Sequence, residues 1–228
     1  LGILDQDRNK IFAEAIDVIL AIWEREPPYD IDLPGNRFKV TTRTTQVPAI
    51  GRGILMKPYQ DRLPEIVGTV VAPFSKGVTE MAKRGWGAIS ANFLMPEWVK
   101  THWDSHVQGR TAVGAVPHPS EWRVAKSIFV ADDEATARRY ALEAGGPYHF
   151  YFKQLSYKLI KGGGRSNLFK TDPSMPDEML TPDYITQRLV IAGTVNSVVD
   201  QILAFRDQIG DFGNLVYACH DWMDPTLA

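Results

Sequence analysis

Residues 65–93 read EIVGTVVAPFSKGVTEMAKRGWGAISANF and decide the fold of this chain. Glu65–Ala72 is a mostly apolar, β-branched run, which is typical of a strand that is buried on both faces. Ser75 is a suitable N-cap for the helix that follows, and Gly85 is a suitable terminator for it. Ala88–Phe93 is a second short apolar run. The stretch therefore predicts a strand, a helix and a strand in succession.

The same alternation continues along the chain. The pattern predicts a helix over Glu97–Val107, a strand over Trp122–Val130, a helix capped by Asp132, a helix over Val195–Ile209 and a strand over Asn214–Cys219. Between residues 147 and 188, it predicts an insertion of helices and polar loops. Strands that alternate with helices indicate a parallel sheet with covered faces. The pattern leaves open whether this sheet is doubly wound or part of a barrel.

An amphipathic helix is predicted ahead of the sheet, over Asp7–Arg25. Its apolar stripe consists of Phe12, Ile16, Ile19 and Trp23, at helical spacing. An uncovered stripe of this kind favours association, so we expect a homo-oligomer, most simply a dimer. Residues 29–64 are rich in proline and glycine and indicate a long connection.

Composition and charge exclude several classes of protein. The 228 residues are 44% hydrophobic and 23% charged, which is ordinary for a globular domain. A formal net charge of −2 and a sequence pI of about 6.2 offer no attraction to nucleic acid or to an anionic membrane. Cys219 is the single cysteine. An intrachain disulfide and a cysteine-based zinc cluster are therefore excluded, and a cytoplasmic location is expected.

Several segments resemble the luciferase-like flavin monooxygenases in their residues, order and spacing. The resemblance is carried by a helix that ends in an Ile-Trp pair, an acidic hairpin, a proline-containing passage, a strand that turns into a helix, a later helix start and a tail. These segments are Arg8–Trp23, Tyr29–Phe38, Lys57–Ile66, Ala72–Gly85, Ala192–Val198 and His220–Trp222. They span nearly the whole chain and match the central and C-terminal part of the family's domain.

The resemblance implies an α/β fold, a (β/α)₈ TIM barrel formed by a single domain over residues 1–228. The family's strands ahead of the opening helix have no counterpart in this sequence, so the barrel is expected to be incomplete. The resemblance further implies an enzyme that uses reduced FMN and O₂ to oxygenate a small organic substrate, with a flavin reductase as partner. A non-catalytic flavin-binding protein and a deazaflavin-dependent or flavin-degrading relative are the alternatives.

The resemblance places the flavin at two segments that follow strands. The loop after the first strand would cradle the phosphate, because backbone N–H groups at a helix N-terminus attract anions. The end of the second strand would line the ring pocket. The cofactor-binding residues expected at these segments are Ala72, Pro73, Phe74, Ser75, Lys76, Gly77, Ser90, Ala91 and Asn92. Trp222, in the tail after the last strand, is expected to stack on the flavin ring. The residues alone also fit a plain capped turn and an ordinary strand end.

His220-Asp221-Trp222 follows the last predicted strand, on the face where barrel enzymes carry their active sites. We expect His220 to act as an acid or a base near neutral pH and Asp221 to orient it, which makes both candidate catalytic residues. A structural turn with a packed tryptophan is the alternative. His102 and His106 are four residues apart but lack a third ligand, so no metal is expected.

Overall fold

The structure of the protein is a computed structural model that describes residues 2–60, 62–220 and 224–227. The chain divides into two compact units, Leu1–Glu65 and Ile66–Ala228. Each unit has a buried core of its own. A single domain over residues 1–228 stays a prediction.

The first unit contains one helix and a small hairpin. Helix α1 (Arg8–Glu24) begins after Asp7, whose carboxylate accepts hydrogen bonds from two backbone N–H groups of the first turn. Strands β1 (Asp30–Asp32) and β2 (Lys39–Thr41) pair in an antiparallel manner. The predicted opening helix is therefore confirmed.

Helix α1 packs one face into the core of the first unit. That core consists of Val18, Ala21, Tyr29 and Ile31. Elsewhere on the helix, the side chains of Phe12 and Ile19 are 64% and 41% exposed. Two members of the predicted apolar stripe thus remain accessible to solvent.

The described residues of the second unit form a five-stranded parallel sheet. Its strands are β3 (Val67–Val70), β4 (Gly87–Ser90), β5 (Trp122–Val130), β6 (Val190–Gly193) and β7 (Asn214–Tyr217). β3, β4 and β5 are neighbours in that order. The other edge of β5 is shared, because β7 pairs with its first half and β6 with its second half. Within the described residues the sheet is open, as expected for an incomplete barrel.

Helices connect the parallel strands. They are α2 (Lys76–Lys83), α3 (Pro96–Ala112), α4 (Glu134–Ala137), α5 (Pro147–Gly163), α6 (Pro182–Leu189) and α7 (Val195–Ile209). α4 continues as a π-helical turn over Arg138–Leu142. The predicted insertion contains α5, α6 and two short 3₁₀ turns. Every helix in the described ranges is too short or too polar to span a bilayer.

Two details of the sequence prediction were wrong. β6 was missed, because it follows α6 directly and has no turn-forming residue in front of it. The cap of α4 is Asp133 and not Asp132, because Asp133 immediately precedes the first helical residue. Its carboxylate accepts a hydrogen bond from the backbone N–H of Thr136.

Strand β5 presents different chemistry on its two faces. Lys126 is buried and its ammonium group lies 4.5 Å from the ring centroid of Phe205 on α7. Successive side chains of a strand point to opposite faces. Ser127 therefore lies on the other face, where it meets residues from the ends of neighbouring strands.

Candidate functional site

The predicted phosphate loop follows β3 and leads into α2. Ser75 is the N-cap of α2, and its hydroxyl accepts a hydrogen bond from the backbone N–H of Val78. Within the described residues, no acceptor faces the backbone N–H groups of Ser75, Lys76 and Gly77. The loop therefore presents free donors at a helix N-terminus.

Two residues of α3 hold this loop in position. The backbone N–H of Phe74 donates to Thr101 Oγ1 over 3.0 Å. His102 Nε2 lies 3.0 Å from the carbonyl oxygen of Ala72. Phe74 has a φ of 51°, in the left-handed region, and its side chain is 71% exposed. The loop is thus anchored through its backbone, and its aromatic side chain remains accessible.

His102 belongs to a chain of hydrogen bonds, here named the closed relay, formed by Trp122, Ser90, His102 and the carbonyl of Ala72. Trp122 Nε1 donates to Ser90 Oγ over 2.9 Å, and Ser90 Oγ lies 2.8 Å from His102 Nδ1. A carbonyl only accepts, so His102 carries its hydrogen on Nε2, and Ser90 donates to Nδ1. Burial lowers the pKa of His102 from 6.5 to about 4, so the ring is neutral at pH 7.

A cavity of about 560 Å³ lies beside the phosphate loop. It is lined by Val71, Ala72, Pro73, Phe74, Trp98, Gly164, Arg165, Asn167 and Leu168. The rings of Phe74 and Trp98 meet edge to face, with their centroids 6.4 Å apart. Arg165 is exposed and has no ion-pair partner in the part of the chain that the structure describes. The cavity therefore combines aromatic walls and an unpaired cation, and its wall includes the residues that lead into α2.

A second chain of hydrogen bonds, here named the open relay, consists of Asn92, Ser127 and His220. Asn92 Nδ2 donates to Ser127 Oγ over 2.9 Å. His220 Nε2 lies 3.1 Å from the same oxygen. Asn92 follows β4 and His220 follows β7, while Ser127 lies within β5. The parallel sheet thus joins two predicted site residues through a third residue that was not predicted.

The ring of His220 is held between aromatic side chains and a cavity. It stacks on Tyr151 at a centroid distance of 3.8 Å and meets Tyr148 edge to face at 5.4 Å. His220 lines a cavity of about 690 Å³, whose other walls come mainly from α5 and the residues before it. These lining residues are Ala144, Gly145, Pro147, His149, Phe150, Tyr151, Lys153, Gln154, Leu155 and Lys158. The surroundings are largely apolar and suit an organic ligand.

The remaining predicted residues have less distinct surroundings. Ala91 is buried, and its backbone N–H donates to Val70 over 3.1 Å, which extends the pairing of β3 with β4. Asp221 and Trp222 lie outside the described residues.

Sequence reasoning missed Ser127 and Arg165. Ser127 had a weak signal, as one of two adjacent polar residues inside a mostly apolar strand, and Arg165 had none beyond its place after a glycine run.

The N-terminus of α7 offers a contrast to that of α2. One carboxylate oxygen of Glu134 accepts hydrogen bonds from the backbone N–H of Thr194 over 2.9 Å and from its hydroxyl over 2.8 Å. These hydrogen bonds lower the pKa of Glu134. The protein therefore fills this helix N-terminus with its own anion, whereas no carboxylate among the described residues accepts from the N-terminus of α2.

No cluster of three potential metal ligands occurs among the described histidine, cysteine, aspartate and glutamate residues. His106 Nε2 lies 2.8 Å from Glu121 Oε2, and that carboxylate also contacts Arg110. His102 and His106 thus have separate partners within the fold.

The fold and the site together define a class of protein. Parallel strands alternate with helices, and the candidate ligand-binding residues lie at the carboxyl ends of β3, β4 and β7, which is the functional face of (β/α)-barrel enzymes. The chain belongs to the luciferase-like monooxygenase family, whose sequence model matches residues 2–211.

Individual relatives agree with this assignment. The chain is 21% identical to 3,6-diketocamphane 1,6-monooxygenase of Pseudomonas putida over 226 residues, which cover 95% of this chain and 57% of the relative. It is similar to the FMN complex of the oxygenating constituent of 3,6-diketocamphane monooxygenase, a type II Baeyer–Villiger monooxygenase from the same organism. The TM-score is 0.80 at 21% identity, with 97% of this chain and 60% of that structure covered.

A third relative uses a different cofactor. The structure of an F420-dependent secondary alcohol dehydrogenase matches with a TM-score of 0.57 and 16% identity, covering 90% of this chain and 54% of that one. The chain thus spans between about half and three fifths of the length of these relatives. Likeness at this identity shows a common fold.

Proposed function

We propose that this chain forms a flavin site of an FMN-dependent monooxygenase that oxygenates a small organic substrate. The observation that carries the proposal is the free N-terminus of α2, which lies beside an aromatic cavity with an unpaired arginine. The Pseudomonas putida relative with the same fold was solved in complex with FMN. When bound, reduced FMN would supply the electrons for the reaction with O₂.

The residues at α2 fit the phosphate of such a cofactor. A phosphate needs several hydrogen-bond donors and positive charge. The backbone N–H groups of Ser75, Lys76 and Gly77 supply donors, and Lys76 and Arg165 supply charge. At α7, in contrast, Glu134 already occupies the equivalent position. The geometry therefore favours α2 over α7 as the phosphate site.

The open relay and the larger cavity fit the flavin ring and the organic substrate. Asn92 is half-buried at the end of β4, where its amide could hydrogen-bond a ring carbonyl. His220 borders the apolar cavity of about 690 Å³, which would exclude water from the reacting atoms. We keep His220 and Asp221 as candidate catalytic residues and Trp222 as a candidate stacking residue.

The partners and location belong to the same proposal. A flavin reductase would deliver reduced FMN, and a homodimer would cover the exposed Phe12 and Ile19 of α1. A cytoplasmic location is consistent with the single cysteine.

The test is a titration of the intact chain with FMN and with riboflavin, oxidised in air and reduced under anaerobic conditions. Riboflavin lacks the phosphate, so FMN should bind more tightly. Lys76→Gln and Arg165→Gln should each weaken FMN about tenfold and leave riboflavin unchanged, because a charge-assisted contact to phosphate is worth roughly 1.5–3 kcal/mol. Lys83→Gln, at the other end of α2, is the matched control.

The outcomes separate the alternatives. If neither flavin binds, the flavin site is wrong for this chain. If FMN binds but the reduced form shows no accelerated oxygen uptake, the chain is a flavin-binding protein without oxygenase activity. If FMN and riboflavin bind equally, the phosphate does not lie at α2.

A further inference from the structure

The cavity of about 690 Å³ along α5 combines apolar walls with lysine side chains. We infer that this cavity binds an organic anion, whose apolar body lies against Phe150 and Leu155 and whose anionic group lies at Lys153 and Lys158. The inference deepens the proposed function, because it names an organic acid as the class of the substrate. It rests on that function for the fate of the ligand, but binding itself can be measured without flavin.

The walls of the cavity suit the apolar body of a small organic molecule. Cavities of roughly 300–1,000 Å³ are typical of small-molecule sites. One side of α5 supplies much of the wall, because four of the lining residues follow one another at helical spacing. They are Pro147, Tyr151, Leu155 and Lys158. Phe150 also lines the cavity and is 61% exposed, so a bound ligand would remove apolar surface from water.

The charged groups in this wall are positive. Lys153 and Lys158 are exposed, and neither ammonium group has an ion-pair partner in the part of the chain that the structure describes. No aspartate or glutamate occurs among the described residues that line the cavity. Asp183 lies 2.8 Å from Nε2 of the lining residue His149 but does not line the cavity itself. An anion would therefore meet two unpaired positive charges.

A neighbouring cavity of about 630 Å³ provides a contrast. Its wall also contains two lysines, Lys153 and Lys161, but Asp177 and Glu178 line it as well. Asp177 forms an ion pair with Lys170 over 2.6 Å. An anion in the neighbouring cavity would lie beside carboxylates of the protein. Charge complementarity therefore favours the larger cavity as the anion site.

The spacing of the two lysines allows them to share one anionic group. Lys153 and Lys158 are five residues apart in α5, which is about 7.5 Å along the helix axis. Lysine side chains are long and flexible, and each ends in three hydrogen-bond donors. Gln154 lies between the two lysines in the sequence and lines the same cavity, where its amide can donate a further hydrogen bond.

The experiment is a fluorescence titration of the intact, flavin-free chain with 2-naphthoate and with 2-naphthamide. The two probes share one ring system and differ in charge. We expect 2-naphthoate to bind about tenfold more tightly, because two ion pairs between exposed groups contribute about threefold each. This preference should shrink at high salt, which screens exposed charges.

Substitutions of the lysines test where the charge is recognised. Lys153→Gln and Lys158→Gln should each weaken 2-naphthoate about threefold and leave 2-naphthamide unchanged. Unchanged binding of the neutral probe also shows that the variant is folded and that its cavity is intact. Lys161→Gln is the matched control, because Lys161 belongs to the same helix but does not line this cavity.

Three results would overturn the inference. They are equal binding of the two probes, equal losses of 2-naphthoate binding in Lys161→Gln and in the two test variants, and displacement of 2-naphthoate by FMN but not by riboflavin. The last result would assign the lysines to the phosphate of the cofactor. A chain that prefers 2-naphthoate as expected but fails to bind FMN would refute the proposed function and leave the anion site intact.

Discussion

The closed relay and the open relay both begin at a side-chain N–H group and pass through a buried serine hydroxyl to an imidazole. In the closed relay, His102 donates its hydrogen to the carbonyl of Ala72, so both ring nitrogens have partners in the protein. In the open relay, His220 lies at the wall of a cavity. Similar groups therefore hold a loop in one place and lie at the wall of a cavity in the other.

The difference teaches how a histidine can be interpreted from its surroundings. A buried ring whose two nitrogens both have hydrogen-bond partners in the protein is held neutral. The ring of His220, in contrast, lies at the wall of a cavity. Four perturbations would break or sharpen this contrast.

The largest change in the free energy of unfolding is expected for Ser90→Ala. It removes the centre of the closed relay and leaves Trp122 Nε1 and His102 Nδ1 buried without partners. At about 1–3 kcal/mol for each orphaned group, the free energy of unfolding should fall by about 4 kcal/mol in urea denaturation. Ser156→Ala is the control, because that buried hydroxyl donates only to a carbonyl of its own helix. Equal losses for both variants would contradict a structural role for the closed relay.

The second effect is a loss of stability in acid that depends on His102. Its pKa in the folded protein is about 4, below the ordinary value of 6.5. The unfolded chain therefore binds the proton first, and stability that is complete above pH 6.5 is lost as the pH falls towards 4. The expected loss is about 3 kcal/mol. The measurement is the free energy of unfolding as a function of pH. His102→Gln should flatten the curve between pH 4 and 6.5. An unchanged slope in this variant would show that other groups cause the loss of stability.

The third perturbation compares two neighbours on β5 that face opposite ways. Burial lowers the pKa of Lys126 from 10.5 to about 8. Ser127, in contrast, has two hydrogen-bond partners, Asn92 and His220. The charged lysine destabilises the fold below pH 8, and the penalty disappears as the pH rises through 10.5. Lys126→Met should therefore raise the unfolding free energy at pH 7 by about 2 kcal/mol, after the lost contact with Phe205 is discounted. A variant that is less stable than the unmodified chain at pH 7 would refute this view of Lys126.

The smallest change in stability is expected for Ser127→Ala in the open relay. Asn92 is only half-buried and can turn to water, so the free energy of unfolding should fall by about 1 kcal/mol. The same urea denaturation that measures Ser90→Ala gives the comparison. A loss as large as that of Ser90→Ala would mean that the two relays are equally structural.

Much of the fold was predictable because its signals are local. A few neighbouring residues are enough to predict each of three features, and the structure confirms them. They are the strand within the apolar run Glu65–Ala72, the helix cap at Ser75 and the strand Trp122–Val130. Strand β6 was missed because four apolar residues directly after a helix look like its continuation. The shared edge of β5 is a tertiary pairing that no local pattern encodes.

The candidate site was predictable only in pieces. Asn92 and His220 stand out because each follows a strand, where polar residues collect in parallel α/β proteins. Their connection through Ser127 depends on the register of three strands, and a serine inside an apolar strand has no distinguishing motif. Arg165 follows the C-terminus of α5 and lines the same cavity as the predicted phosphate loop. Residues that come together only through tertiary structure have no characteristic spacing in the sequence by which they could be recognised.

Glu134 can also be viewed as a tethered competitor. Its carboxylate belongs to the same folded chain as the N-terminus of α7, so its hydrogen bonds to Thr194 form within one molecule. A free phosphate or a cofactor would have to displace it at a comparable cost. Under the proposed function, an anionic ligand would therefore favour α2, where donors are free, over α7, where Glu134 already accepts hydrogen bonds.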